Sequence, residues 1–155
     1  METPVVFLDI DGVIVVKRLV RRTVRILRTP PSRMGVISST AVANLNALAA
    51  RSGATFVVSS TWRAADDCLD KLDRMGVQVP YHQDWRTDAD GPCRGAEIAR
   101  WLKAHGEPTY CVLDDFTAGE GLPHDRLVLV NYKIGLSALD TQRALALLAN
   151  ATVRK

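Results

Sequence analysis

The chain has 155 residues, of which 47% are hydrophobic and 24% charged, and its formal net charge is +3. This suits one globular domain with one sizeable core, and no apolar run nears the ~20 residues a bilayer crossing needs. Cys68, Cys93 and Cys111 stand far apart without C-x-x-C spacing, and Met-Glu-Thr-Pro lacks the basic start of a secretory leader; neither a disulfide framework nor a zinc site follows from them, and a reducing, cytoplasmic setting is expected.

Pro4 to Asp9 is a continuous apolar run, the pattern of a central parallel strand covered on both faces. Val16, Leu19, Val20, Thr23, Val24 and Leu27 then fit a helical stripe. The β-branched content of Val13 to Arg28 instead favours a hairpin turning near Arg21-Arg22 and closed by Pro30-Pro31. No acidic residue lies between Asp11 and Asp66, whereas Lys17, Arg18, Arg21, Arg22, Arg25, Arg28, Arg33, Arg51 and Arg63 do. Such segregation suits an anionic partner near the N-terminal third, or a solvated basic face.

Ser39 can cap a helix to about Ala50, with Val42, Leu45, Leu48 and Ala49 on one side and Gly53 as the stop. Ala54 to Val58 is a second strand, running into Ser59-Ser60-Thr61-Trp62-Arg63. Ala65 to Met75 reads as a helix ended by Gly76, and Val77 to Val79 as a short strand. Tyr81 to Pro92 is polar and turn-rich, hence a loop. Gly95 to His105 is helical, with Ile98, Trp101 and Leu102 inward. Thr109 to Leu113 is a third strand ending in Asp114-Asp115, and Leu127 to Val130 a fourth. Ser137-x-x-Asp140 is a capping box for a last helix to about Asn150. The alternation predicts an α/β, three-layer doubly wound (Rossmann-like) parallel sheet in a single domain, residues 1–155, with 13–34 as a basic flap. That insertion is too short for a separate cap domain.

Three polar clusters therefore fall at the carboxyl ends of three strands, where such sheets bind ligands: Asp9 with Asp11, Ser59-Ser60, and Asp114-Asp115. Crowded carboxylates raise one another's pKa unless a cation neutralises them, and Mg²⁺ takes a few carboxylates plus water and phosphate. Ser59, Ser60 and Arg94 add donors for phosphate oxygens. The blander readings are a helix cap for the serines and a pairing of Arg94 with Glu97 or Asp90. Arg63 reads as a substrate contact or a solvated first-turn residue. The set suits metal-assisted phosphoryl transfer: one aspartate attacks phosphorus, and a second gives a proton to the leaving oxygen and takes one from water.

The ordered motifs F-L-D-I-D-G-V, V-S-S-T-W-R, R-G-A-E-I-A-R-W-L, V-L-D-D and the G-L-S of 135 to 137 span almost the whole chain. Together they resemble the haloacid dehalogenase (HAD) superfamily, in the branch found in Swiss-army-knife RNA-repair proteins and small standalone bacterial relatives. The resemblance implies an HAD-like phosphatase fold. It makes Asp9 the nucleophile, Asp11 the general acid/base and Ser59 the phosphoryl holder, with Arg94 where lysine is commoner. Asp9, the Asp11 carbonyl, Asp114 and Asp115 would hold Mg²⁺, with Asp115 as direct ligand and Asp114 in support. The implied activity is a phosphoric monoester hydrolase on a phosphorylated substrate, with polynucleotide ends suiting an uncapped site. A small-metabolite phosphatase, transfer to an acceptor other than water, and a non-catalytic HAD-like binding module are the competing readings. Trp62, Trp85 and Trp101 read as packing residues, and His82, His105 and His124, without ligand spacing, as structural or exposed.

Overall fold

The computed structural model describes residues 2–17, 35–116 and 121–150. Five parallel strands form the central sheet: β1 (Val5–Leu8), β4 (Thr55–Val58), β5 (Tyr81–Arg86), β6 (Tyr110–Asp114) and β7 (Leu127–Leu129), in the order β5-β4-β1-β6-β7. A separate antiparallel pair, β2 (Val15–Lys17) and β3 (Gly35–Ile37), joins the two ends of the basic segment, with Val15 opposite Ile37. The turn expected near Arg21-Arg22 lies outside the described residues.

Side-chain alternation along β1 builds two cores from four residues. Val6 and Leu8 point into a cluster with Leu45 and Leu48 of α1 (Ser39–Ser52), Leu72 of α2 (Cys68–Arg74) and Ala144 of α4 (Ala138–Ala149). Val5 and Phe7 point the other way, against Ile98, Trp101 and Leu102 of α3 (Arg94–Ala104). Phe7 meets the Trp101 ring edge-on at 5.4 Å. Burying each such side chain is worth about 1.5–3 kcal/mol, so α3 is firmly seated and its first residue, Arg94, is placed with it. The predicted capping box is present: Ser137 Oγ accepts from the Asp140 amide, and Asp140 accepts from the Ser137 amide.

The three-layer parallel architecture is therefore as predicted, with three corrections. The stretch expected as a loop, Tyr81 to Pro92, contains strand β5, and Val77 to Val79 is not a strand. Strand β5 lies at a sheet edge and pairs irregularly with β4, so its residues stay half-exposed and polar and lack an apolar run. The helix expected from Ala65 is shorter, preceded by a 3₁₀ turn at Thr61–Ala64. Among the described residues, no helix is long and apolar enough to cross a membrane.

Candidate active site

The strand order reverses beside β1: β4 and β5 extend one side, β6 and β7 the other. A crevice forms at such a switch point beyond the carboxyl ends of the strands. Leu8 of β1 and Leu113 of β6 are register partners, so Asp9 and Asp114 leave the sheet side by side. Carboxylate oxygens of Asp9, Asp114 and Asp115 lie within 4.8 Å of one another. Arg94, at the first turn of α3, reaches in from the opposite layer, with Nη1 2.5 Å from Asp114 Oδ2 and 3.6 Å from Asp9 Oδ1.

Two almost wholly buried carboxylates thus face the Arg94 guanidinium, with Asp115 clustered beside them. Burial and the neighbouring Asp114 push the Asp9 carboxyl up to about 8, against the opposing pull of Arg94. Burial raises Asp114 as well, although Arg94 and the Phe116 amide, which donates to Oδ1 at 3.0 Å, favour its charged form. An all-oxygen cluster with surplus negative charge is the donor set a hard divalent cation takes.

Gly12 shapes the turn after β1. Its φ is +85°, and a Cβ there would overlap the Asp115 carboxylate. The Gly12 amide donates to Val15 O at 2.7 Å, closing a tight loop just past Asp11. Asp11 stands apart from the three-carboxylate cluster, and Oδ2 accepts from Trp62 Nε1 at 3.0 Å. Sequence reasoning treated Trp62 as packing alone. It packs against the core, but its indole also orients Asp11, a contact whose only sequence signal is its place just past the β4 terminus.

Ser59 and Ser60 leave the end of β4. Ser60 Oγ caps the 3₁₀ turn, accepting from the Trp62 amide at 3.2 Å. Ser59 Oγ is buried without a hydrogen-bond partner among the described residues, a position that favours a ligand able to supply one. Arg63 is 6% exposed, so it is not a solvated side chain. Its Nη1 donates to Ser59 O (2.7 Å) and Ser60 O (2.8 Å), Nε to Thr87 O (3.0 Å), and Nη2 to Glu97 (2.7 Å). Glu97 thus partners Arg63, not Arg94, and Asp90 pairs with Arg100. A cavity of about 380 Å³ lies beside Arg94, walled by Thr61, Ala64, Ala89, Pro92 and Cys93, with the Arg63–Glu97 pair in its wall.

On the far flank, the Val130 amide donates to Asp114 O and the Leu136 amide to Val13 O. This packs the turn 131–136 against the loop after Asp11, which accounts for the G-L-S motif.

Comparison with known proteins agrees with this layout. Residues 5–141 match the family described as the HAD domain in Swiss Army Knife RNA repair proteins. No curated protein and no solved structure matches the chain. That match covers the strands, the acidic cluster, Arg94 and the G-L-S turn alike, and the chain belongs to this HAD-domain family.

Proposed function

We propose that the protein is a Mg²⁺-dependent phosphomonoesterase that works through an aspartyl-phosphate on Asp9. The observation that carries this reading is the convergence of Asp9, Asp114 and Asp115 at the switch point beside Arg94. The residues fit a bound Mg²⁺: Asp9, Asp115 and the Asp11 carbonyl would hold it, and Asp114, tied to Arg94 and the Phe116 amide, would support them. The ion supplies charge neutralisation, keeping the Asp9 carboxylate ionised in a buried site and drawing charge from a phosphoryl group.

The chain's own residues divide the remaining work. Asp9, freed of its proton, is the attacking carboxylate. Asp11, held by the Trp62 indole clear of the cluster, protonates the leaving oxygen and later deprotonates water. The Ser59 hydroxyl and Arg94 donate to the phosphoryl oxygens, with Ser60 at the same turn. Arg63 acts beneath them, fixing the Ser59 and Ser60 carbonyls.

A polynucleotide end is the substrate the reading favours. The family description names RNA repair. Phe116 and Tyr132 stand 53% and 43% exposed just past the ends of β6 and β7, where bases could stack. The cavity beside Arg94 favours a second reading within the same chemistry, a small phosphate ester whose leaving group fills it.

The test is phosphate release by wild type and Asp9→Asn, with Mg²⁺ or EDTA. The panel spans an aryl phosphate, mononucleotides, and DNA and RNA oligomers phosphorylated at the 3′ or 5′ end. Metal-dependent release lost in Asp9→Asn is expected, with a salt-sensitive preference for one oligomer end. Release from small esters alone would select the second reading. A folded protein that binds Mg²⁺ and releases nothing would favour a binding module.

A further inference from the structure

At the other end of α3 the fold assembles a second cluster that sequence spacing did not suggest. His82 and Asp84 lie two residues apart on edge strand β5, and His105 caps α3. Potential ligand atoms of the three side chains lie within 4.8 Å of one another. Arg94 and His105 stand at opposite ends of an 11-residue helix, which is about 16 Å long and separates this cluster from the acidic one.

The His105 ring is held in one orientation. It stacks on Trp101 with centroids 3.8 Å apart and planes 13° apart, and Nδ1 lies 2.7 Å from the Trp101 carbonyl. A carbonyl can only accept, so Nδ1 carries the hydrogen and Nε2 is the nitrogen offered outward. A backbone carbonyl that fixes the tautomer in this way is the usual support of a ligating histidine. Nε2 faces Asp84 Oδ2 at 2.7 Å. Two lone-pair bearers that close require a cation between them, either a proton or a metal ion. The His82 ring sits edge-on to both Trp101 and His105, at 4.8 and 5.1 Å.

We propose that His82, Asp84 and His105 form a site for a first-row transition ion, zinc foremost, that clips edge strand β5 to the C-terminal end of α3. Two imidazoles and one carboxylate suit zinc and its neighbours and are a poor set for magnesium. Tetrahedral bonds of about 2.0–2.1 Å put neighbouring donors roughly 3.3 Å apart, so the Asp84–His105 pair would open slightly from its 2.7 Å, within a cluster whose ligand atoms all lie within 4.8 Å. His82 Nδ1 now accepts the Asp84 amide at 2.9 Å. Ligation replaces that bond, and on a sheet edge water can take over the amide. Asp84 is exposed, which leaves an entry path.

The test titrates Zn²⁺ into the full chain by calorimetry in excess Mg²⁺, and Co²⁺ with absorption and tryptophan fluorescence as readouts. One Zn²⁺ per chain is expected, with at least tenfold weaker binding in His82→Ala and in His105→Ala and undiminished binding in Asp115→Asn. Co²⁺ should quench a part of the emission that Trp101→Phe removes. Far-UV circular dichroism checks each variant. Should His105→Ala not fold, His82→Ala decides, since its side chain is only partly buried. The proposal is overturned if no zinc binds, if both histidine variants bind it as wild type does, or if Asp115→Asn or Cys93→Ser abolishes binding instead.

Discussion

Replacing Asp9 with asparagine should stabilise the metal-free protein while abolishing its chemistry. Asp9 is 4% exposed, and burial with Asp114 raises its carboxyl from 3.8 to about 8. A group raised on folding contributes its full stability below the unfolded value and loses it as pH climbs through the folded value. At pH 7 the unfolded carboxyl is ionised and the folded one largely is not. The resulting cost to the fold is about 4 kcal/mol, at 1.36 kcal/mol per pH unit. Asparagine keeps the shape and removes the titration. Part of the gain is returned because the amide brings an extra N–H group into a buried site. A net stabilisation of roughly 1–3 kcal/mol remains, and each kcal/mol raises Tm by about 2–4 °C. The assay is thermal unfolding in EDTA at pH 6, 7 and 8, repeated with Mg²⁺. The advantage of Asp9→Asn should grow with pH in EDTA and shrink or reverse with Mg²⁺, which stabilises only a protein that binds it. A lower Tm for Asp9→Asn at pH 8 in EDTA, or an advantage that narrows as pH rises, would refute the electrostatic reasoning.

Trp62→Phe keeps the packing ring but removes the donor to Asp11. A bond to a charged group is worth about 1.5–3 kcal/mol, so steady-state assays should show kcat down roughly tenfold or more with KM little changed. Gly12→Ala must place a methyl on the Asp115 carboxylate at positive φ. Unfolding by urea should show a loss of about 1–2 kcal/mol or more, and Mg²⁺ should no longer raise Tm. Glu97→Ala strands the buried Arg63 guanidinium and should cost about 3–5 kcal/mol in the same urea experiment, while Arg63→Met/Glu97→Leu recovers much of it. Burial lowers the His105 imidazole, but Asp84 and the Trp101 carbonyl more than offset this and hold it above 6.5. Its stabilisation is therefore present below pH 6.5 and lost as pH rises through the folded value. In EDTA, the stability difference between wild type and His105→Gln should fall between pH 6 and 8, and a flat difference would contradict the His105–Asp84 contact.

The central strands were legible because both their faces are buried. Val5 to Leu8 and Thr55 to Val58 must be apolar at nearly every position, so each stands out without any partner being known. Strand β5 has one neighbour and an irregular register, and Tyr-His-Gln-Asp-Trp-Arg meets those looser demands while looking like a loop. The same looseness hid the His82–Asp84–His105 cluster. Its members meet only because an edge strand lies along the end of a helix, an encounter no spacing within either segment encodes.

The acidic cluster was legible for a topological reason. Parallel strands deliver their C-terminal residues to one edge, so aspartates that end apolar runs converge wherever those runs are in sequence. Charge pairing follows no such rule. Arg63 and Arg94 both sit near acids and a helix start, and the sequence favours Arg94 as the phosphate donor while reading Arg63 as a substrate contact or a solvated residue. The structure separates them by what each guanidinium reaches. Arg63 meets three carbonyls and a buried carboxylate, which complete its donor fork within the fold. Arg94 is set on α3 against carboxylates that outnumber it. Burial and the neighbouring Asp114 hold the Asp9 carboxyl high against the pull of Arg94. Buried carboxylates crowded at one strand edge are what a divalent cation would relieve, and that crowding supports the proposed metal-dependent site more strongly than any one aspartate does.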